Sequence, residues 1–338
     1  MKEEQELVEA YWRLNGSFQK KCVFHVGASA GFFSEYNMML LAMLYCLTHH
    51  IRFVLFSADA NFAYDKGWTD YFESFCDEVR SSHHCKLNQR PVGGWKTMWR
   101  MAREKRSVGI LCWKLKSQLF SLMAFFHKRC TGVTYYTQDI WHELLSLRTD
   151  GRYRIPELGI DGDLSTALRT LARITWRFNP EAMNEIRKIR SAITLPEKYM
   201  GCQMRGGDKF IEFALVPVED YIGVFKSCPD IKDVFVLTDD YRIMEELQNH
   251  YKDYCWHSLC QPSEQGYFHG DFVKNGKDYL RRRMLRFFAS IDILTGASFY
   301  VGTRTSNPSV FLYIFMPEAC ADTDGDRNLL SDSTLGIK

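Results

Sequence analysis

Residues 21–26, Lys-Cys-Val-Phe-His-Val, form an apolar run that ends in the small-residue loop Gly27-Ala28-Ser29-Ala30-Gly31. A strongly apolar stretch from about Ser34 to Thr48 follows, and then a second run, Arg52-Phe53-Val54-Leu55-Phe56. The outer runs have the length and residue types of buried strands, and the middle stretch has the length of a helix. Strand, loop, helix and strand within about 35 residues make a βαβ unit. Such a unit leaves few options, because its strands lie parallel and a parallel sheet is covered on both faces.

The alternation returns after Pro196. Tyr199–Arg205, Asp233–Thr238 and Phe299–Gly302 read as strands, and Val218–Ser227, Tyr241–Tyr251, Asp278–Gly296 and Pro308–Phe315 read as helices. Between the two regions, 94–194 is mostly helical, with a Pro/Gly-rich loop at 151–162 and a charged amphipathic helix, Pro180–Ala192, linking the halves. The fold class is therefore α/β, with two parallel-sheet halves and a cleft between them. At 338 residues the chain suits two domains. The first is 1–195, an α/β and helical half, the second is 196–317, a doubly wound nucleotide-binding domain, and 318–338 is a polar tail.

Several function classes drop out. Lys plus Arg is 43 and Asp plus Glu is 41, a formal charge of +2, so no extended nucleic-acid-binding face is expected. The longest apolar stretch, Met38–Leu47, is far short of a transmembrane helix, and the acidic N-terminus lacks a signal region. Eleven scattered cysteines without a CxxC pattern suit a reduced chain with buried thiols. His49-His50 and His83-His84-Cys85 lack a second ligand set at metal-binding spacing, so they are expected at the surface or in loops. Asp322-Thr323-Asp324-Gly325-Asp326 imitates a calcium loop, but its Gly is fourth instead of sixth, and Ser333 stands where the loop needs Glu. Phosphate-binding P-loop and GxGxxG patterns are absent.

The stretch that carries chemistry is Gly201-Cys202-Gln203-Met204-Arg205-Gly206-Gly207-Asp208-Lys209, with Glu212 close behind. It falls where a strand ends. Its small residues let the backbone approach a ligand, and the planar fork of Arg205 can hold two diphosphate oxygens at once. Alone, the same stretch would equally suit a solvated turn with an Arg–Asp pair. Two further loops bear on the choice. Asp239-Asp240 closes one strand, and Thr303-Arg304-Thr305-Ser306-Asn307-Pro308 joins another to a helix, with Asn307 expected as N-cap and Pro308 as first helical residue. A helix start with such hydroxyls is a ready anion site. Arg205, Asp239 and Thr303 are thus expected to converge on one sheet edge, where ligands of doubly wound sheets bind.

These residues resemble the motifs of the α1,6-fucosyltransferase group, which includes the core N-glycan and nodulation-factor enzymes. Gln203 to Lys209 resembles its His-x-Arg-Arg-x-Asp-Lys motif, and Glu212, Pro217, Glu219 and Tyr221 fall almost in register with the Glu and Pro-x-Glu-x-Tyr that follow. Phe235 to Asp240 resembles the second motif, and Val301 to Asn307 the third. Tyr64 to Thr69 is similar to the Gly-Gly-Trp stretch of the core enzymes, and Gly31-Phe32 stands in place of their Gly-rich loop. The likeness is specific over 199–317 and faint over 20–76.

The resemblance implies a GT-B-like architecture and a metal-independent, inverting transfer of L-fucose from GDP-β-L-fucose to an oligosaccharide or glycoconjugate, α1,6 to N-acetylglucosamine. It makes Glu212 the base, Lys209 its orienting partner and Arg205 the essential arginine. Donor contacts are expected from Arg205, Asp208, Gly31, Phe32, Asp239, Asp240, Asp292, Thr303, Arg304, Thr305, Ser306 and Asn307. No cofactor is expected besides the donor substrate. The location implied is a bacterial cytoplasm, with an anchor before residue 1 as the alternative.

Three positions depart from the pattern. Gln203 replaces the motif His and Gly206 its second Arg, and Ser290 stands where the family has Asp, with Asp292 two residues on as the expected guanine reader. Arg304, where the family carries Phe, is expected to supply the cation lost at 206. These departures keep open an α1,2-fucosyltransferase, another GDP-sugar transferase, or a non-catalytic sugar-nucleotide or glycan-binding relative.

Overall fold

The structure, a computed structural model, describes residues 2–27, 30–89, 92–206, 216–266, 276–326, 330–331 and 335. Helix α1 (Lys2–Ser17) leads into β1 (Lys20–His25), α2 (Phe32–Thr48) and β2 (Ile51–Phe56), the βαβ unit read from the sequence. β1 and β2 are parallel from Lys20↔Ile51 to His25↔Phe56. Helix α2 starts at Phe32 because Gly31, in extended backbone, takes the N-cap.

Three helices follow, α3 (His84–Leu87), α4 (Trp95–Glu104) and α5 (Gly109–Thr131), before β3 (Tyr135–Tyr136) pairs with the free edge of β1. Next come α6 (Thr137–Leu144) and a small antiparallel ribbon, β4 (Tyr153–Ile155) and β5 (Ile160–Gly162), built from the Pro/Gly-rich loop. Helices α7 (Leu164–Thr175) and α8 (Pro180–Arg190) close this half.

The second half contains β6 (Met200–Gln203), α9 (Val218–Phe225), β7 (Asp233–Leu237), α10 (Tyr241–His250) and β8 (Cys255–His257). It continues with α11 (Lys277–Leu294), β9 (Phe299–Gly302), α12 (Asn307–Phe315) and β10 (Cys320–Asp322). The five strands are parallel in the order β10-β9-β6-β7-β8. The pattern predicts a polar tail from 318, yet Cys320–Asp322 is a buried edge strand beside β9. Three residues are too few to show a strand period in sequence.

Side chains of the large sheet alternate between two cores. Val234 and Val236 face a small core with Met200, Tyr221 and Phe225, whereas Phe235 and Leu237 join the main one. That main core runs through both halves. Phe288 of α11 packs on Phe32 and Phe72 of the first half at centroid distances of 4.9 and 5.1 Å. Phe311 of α12 packs on Phe33 at 4.8 Å and on Trp176 at 4.7 Å. Much of the aromatic content therefore cements the two halves together.

None of the eleven cysteines is bridged to another; five are buried and three, Cys112, Cys130 and Cys255, exposed. The histidine pair His83-His84, expected at the surface or in a loop, is split in its fate. His84 is buried as the first residue of α3, and His83 stacks between it and His127 of α5, at 4.1 and 4.3 Å. Among the described residues no cluster of His, Cys, Asp or Glu has the makings of a metal site. Burial, then the neighbouring His83 and His127, push the His84 pKa from 6.5 down to about 4. His84 is thus neutral when folded but protonates near its ordinary value when unfolded, so its contribution is full above about pH 6.5 and is lost as pH falls towards 4. We expect acidification across this window to lower stability by up to about 3 kcal/mol through this residue. Urea unfolding at neutral and acid pH will check it: the pH-dependent loss should shrink in His84→Phe, and an equal loss in both proteins would contradict it.

Candidate active site

In each sheet the chain leaves a central strand in both directions. β1 lies between β2 and β3, and β6 lies between β7 and β9. A crevice opens at the carboxyl ends of parallel strands where the order reverses, and it is the usual ligand position. Here the two crevices share one cavity of about 530 Å³, lined by Ala30, Gly31 and Phe32 from one half and by Gln203, Arg205 and Asp239 from the other. That volume lies within the range of small-molecule sites.

The wall from the first half is held at Gly27 and at Ala30. Gly27 has φ +80°, and a Cβ there would meet Ala60 Cβ at 2.5 Å, so only glycine fits where the loops after β1 and β2 touch. Glu35, fully buried on α2, reaches back and accepts the N–H groups of Gly27 at 3.1 Å and Ala30 at 3.0 Å. Its carboxylate thereby takes two amides that a phosphate would otherwise find. Gly31 and Phe32 both line the cavity, and Phe32 is also part of the aromatic core.

Gln203 is buried at the end of β6, where its side-chain oxygen accepts hydrogen bonds from the hydroxyls of Ser306 and, at 3.0 Å, Ser309. It ties the β6 loop to the start of α12. The N–H of Gly206 donates to Asp239 at 2.8 Å. A Cβ at 206 would lie 2.7 Å from the Cβ of Asp240, so this backbone has no room for the motif's second arginine. The two adjacent acids diverge. Asp239 lines the cavity. Asp240, nearly buried, caps α10 by accepting the Arg242 N–H at 3.1 Å and pairs with the Arg242 guanidinium, which holds its pKa below the usual carboxylate range.

The loop after β9 also divides. Ser306, not Asn307, is the N-cap, and Asn307 and Pro308 open the helix and line the cavity. Asn37 of α2 donates to the Asn307 carbonyl at 3.1 Å, which joins the halves at the cavity floor. Thr303 and Thr305 face each other at 3.3 Å and do not line the cavity. Arg304 does not line it either: its Nε lies 2.7 Å from Asp322 Oδ2, and its guanidinium also pairs with Asp326. The cation expected to compensate for Gly206 is already neutralised by two carboxylates of the turn that resembled a calcium loop.

Asp292, expected near a guanine, pairs with Arg190 of α8 and does not line the cavity, whereas Ser290 does. Asp208, Lys209 and Glu212 lie outside the described residues.

The cavity holds two cations that sequence reasoning missed. Arg283 and Arg286, three residues apart on α11, both line it and both pair with Glu264, Arg286 at 2.5 Å. Burial lowers both pKa values, with the Arg286 charge adding to the effect at Arg283. The basic run Arg281-Arg282-Arg283 followed by Arg286 was the available signal, but nothing in it says which face of the helix turns inward. With Arg205 the lining holds three arginines against Asp239 and Glu264. Such a cavity favours an anion with planar, bidentate oxygens.

No family model matches the chain, and no curated protein matches it either. Among solved structures it is similar to a NodZ alpha-1,6-fucosyltransferase soaked with GDP-fucose, at 12% identity over 88% of this chain and 93% of that one, with a TM-score of 0.48. It is similar to fucosyltransferase NodZ from Bradyrhizobium at 11% identity, over 89% of this chain and 95% of that one, with a TM-score of 0.48. A third, POFUT1 in complex with GDP-fucose, shares 12% identity over 90% of this chain and 97% of that one, with a TM-score of 0.49.

Proposed function

We propose that this protein is an inverting fucosyltransferase that moves L-fucose from GDP-β-L-fucose to a glycan hydroxyl, with α1,6 transfer to N-acetylglucosamine as the reaction its motifs resemble. The observation that carries the reading is the trio Arg205, Arg283 and Arg286 in a cavity at the switch points of two parallel sheets. In this reading the acceptor oxygen attacks the anomeric carbon as the bond to the β-phosphate oxygen breaks. Glu212 takes the acceptor proton, and GDP leaves with its charge held by the fixed guanidinium groups. Backside attack turns the β-linked donor into an α-linked product. Because the backbone at Gly206 excludes an arginine, Arg283 and Arg286 take over the second cationic position. The same feature favours a second reading, transfer of another GDP-sugar or to another hydroxyl, since the two-arginine motif is not kept.

Arg205→Ala and Arg286→Ala should each weaken GDP binding, Arg205→Ala by about 2–4 kcal/mol with loss of turnover. Titration calorimetry with GDP measures this, and near-normal affinity in both would remove the basis for the site. Glu212→Gln separates an enzyme from a binder, because GDP affinity should hold while turnover falls roughly 10²–10⁴-fold. Transfer at the wild-type rate in that variant would leave Glu212 without a chemical role. Arg304→Phe, which restores the family residue, should leave GDP affinity within about twofold while leaving the buried Asp322 carboxylate to the Asp324 and Asp326 amides without its cation, at a cost of about 1 kcal/mol of stability. Calorimetry and urea unfolding on the same preparation test both halves of that expectation.

A further inference from the structure

Helices α4 and α5 pack against each other and touch the body lightly. Of the 23 residues of α5 only Ala124 is fully buried, in a small cluster with Leu87 and Tyr136. Leu115, Leu119, Leu122 and Phe126, spaced 4, 3 and 4 apart, form an apolar stripe. Ala124 follows Leu122 by two residues and so lies about 200° round the helix from it. The stripe therefore faces away from the body, and its exposures are 57, 55, 55 and 59%. Two tryptophans, Trp99 of α4 and Trp113 of α5, are 62 and 53% exposed. Soluble surfaces rarely show so continuous an apolar face without a use for it.

The charge on this pair of helices identifies what covers it. Residues 95–131 hold nine Lys and Arg against one acid, Glu104, a net +8, whereas the other 34 basic and 40 acidic residues leave the rest of the chain at −6. Lys96, Arg100 and Arg103 lie exposed along α4, and Lys116 and Arg129 are exposed near the ends of the α5 stripe. A second copy laid symmetrically on this face would bring two such charges together, which opposes pairing. An anionic bilayer meets both features, since its headgroups attract the cations and its acyl boundary takes the Leu, Phe and Trp side chains. No helix of the described residues is long and apolar enough to cross a membrane, so α5 would lie in the interface plane.

We infer that α4 and α5 dock this protein onto a membrane surface rich in anionic lipid. The inference is independent of the reaction proposed for the cavity. The test is sedimentation of the full chain with phosphatidylcholine vesicles, with and without about 30% phosphatidylserine, at about 0.05 and 0.5 M salt. Binding should be at least about tenfold tighter on the anionic vesicles at low salt and fall about tenfold or more at high salt. Two exposed-surface variants, Leu119→Glu/Leu122→Glu/Phe126→Glu and Lys96→Glu/Arg100→Glu/Arg103→Glu, should each lose at least about tenfold in binding with the melting temperature unchanged. No binding, or equal binding to both vesicle types, would overturn the inference. So would a dimer in lipid-free buffer, seen by sedimentation equilibrium, that the leucine and phenylalanine changes dissolve.

Discussion

Phe32 sits against Phe288 of α11, and Phe33 against Phe311 of α12, at 4.9 and 4.8 Å. Helices α2, α11 and α12, which these contacts hold together, all line the cavity. A parallel sheet needs cover on both faces, and here the helices returning from the second sheet lie on helices of the first. Burying each such ring contributes roughly 1.5–3 kcal/mol. The same helices line the cavity at their other edges: α11 presents Arg283, Arg286 and Ser290 to it, and α12 presents Asn307 and Pro308. Packing and recognition thus share two elements.

Charge in the cavity is set by neighbours more than by count. Asp239 and Asp240 are adjacent, yet one lines the cavity and the other is held by Arg242 as a helix cap. Glu35 and Glu264 are both nearly withdrawn from solvent, but Glu35 binds backbone amides whereas Glu264 holds two guanidinium groups in place. Removing the carboxylate of Glu264 would leave two partly desolvated cations side by side. Under the proposed function, a bound diphosphate would supply the same compensation from outside.

Much of this could be read from sequence. The βαβ unit, the strand-helix alternation after Pro196 and the strand end at Gln203–Arg205 all follow from period and turn chemistry, which are local properties. What could not be read is non-local. The fate of Arg304 depends on Asp322 and Asp326, which a strand of three residues brings beside it. Arg283 and Arg286 look like the solvent face of an amphipathic helix until the fold turns that face inward. Gly206 reads as a lost arginine, and only the approach of Asp240 shows it to be a steric requirement. Helix α5 misleads in the opposite way: its Leu and Phe spacing resembles that of a core helix, but just one small residue on it is fully buried.

The continuity of the main core also constrains motion. In two-lobed α/β proteins a cleft commonly opens and closes by rotation about a hinge between the lobes. Here such a rotation would pull Phe288, Phe311 and their neighbours out of a shared apolar interior. Exposing even a handful of such side chains costs on the order of 10 kcal/mol, comparable with the whole stability of a folded domain. Opening by such a rotation is therefore costly. Exchange of a ligand in this cavity is expected without a hinge rotation between the halves.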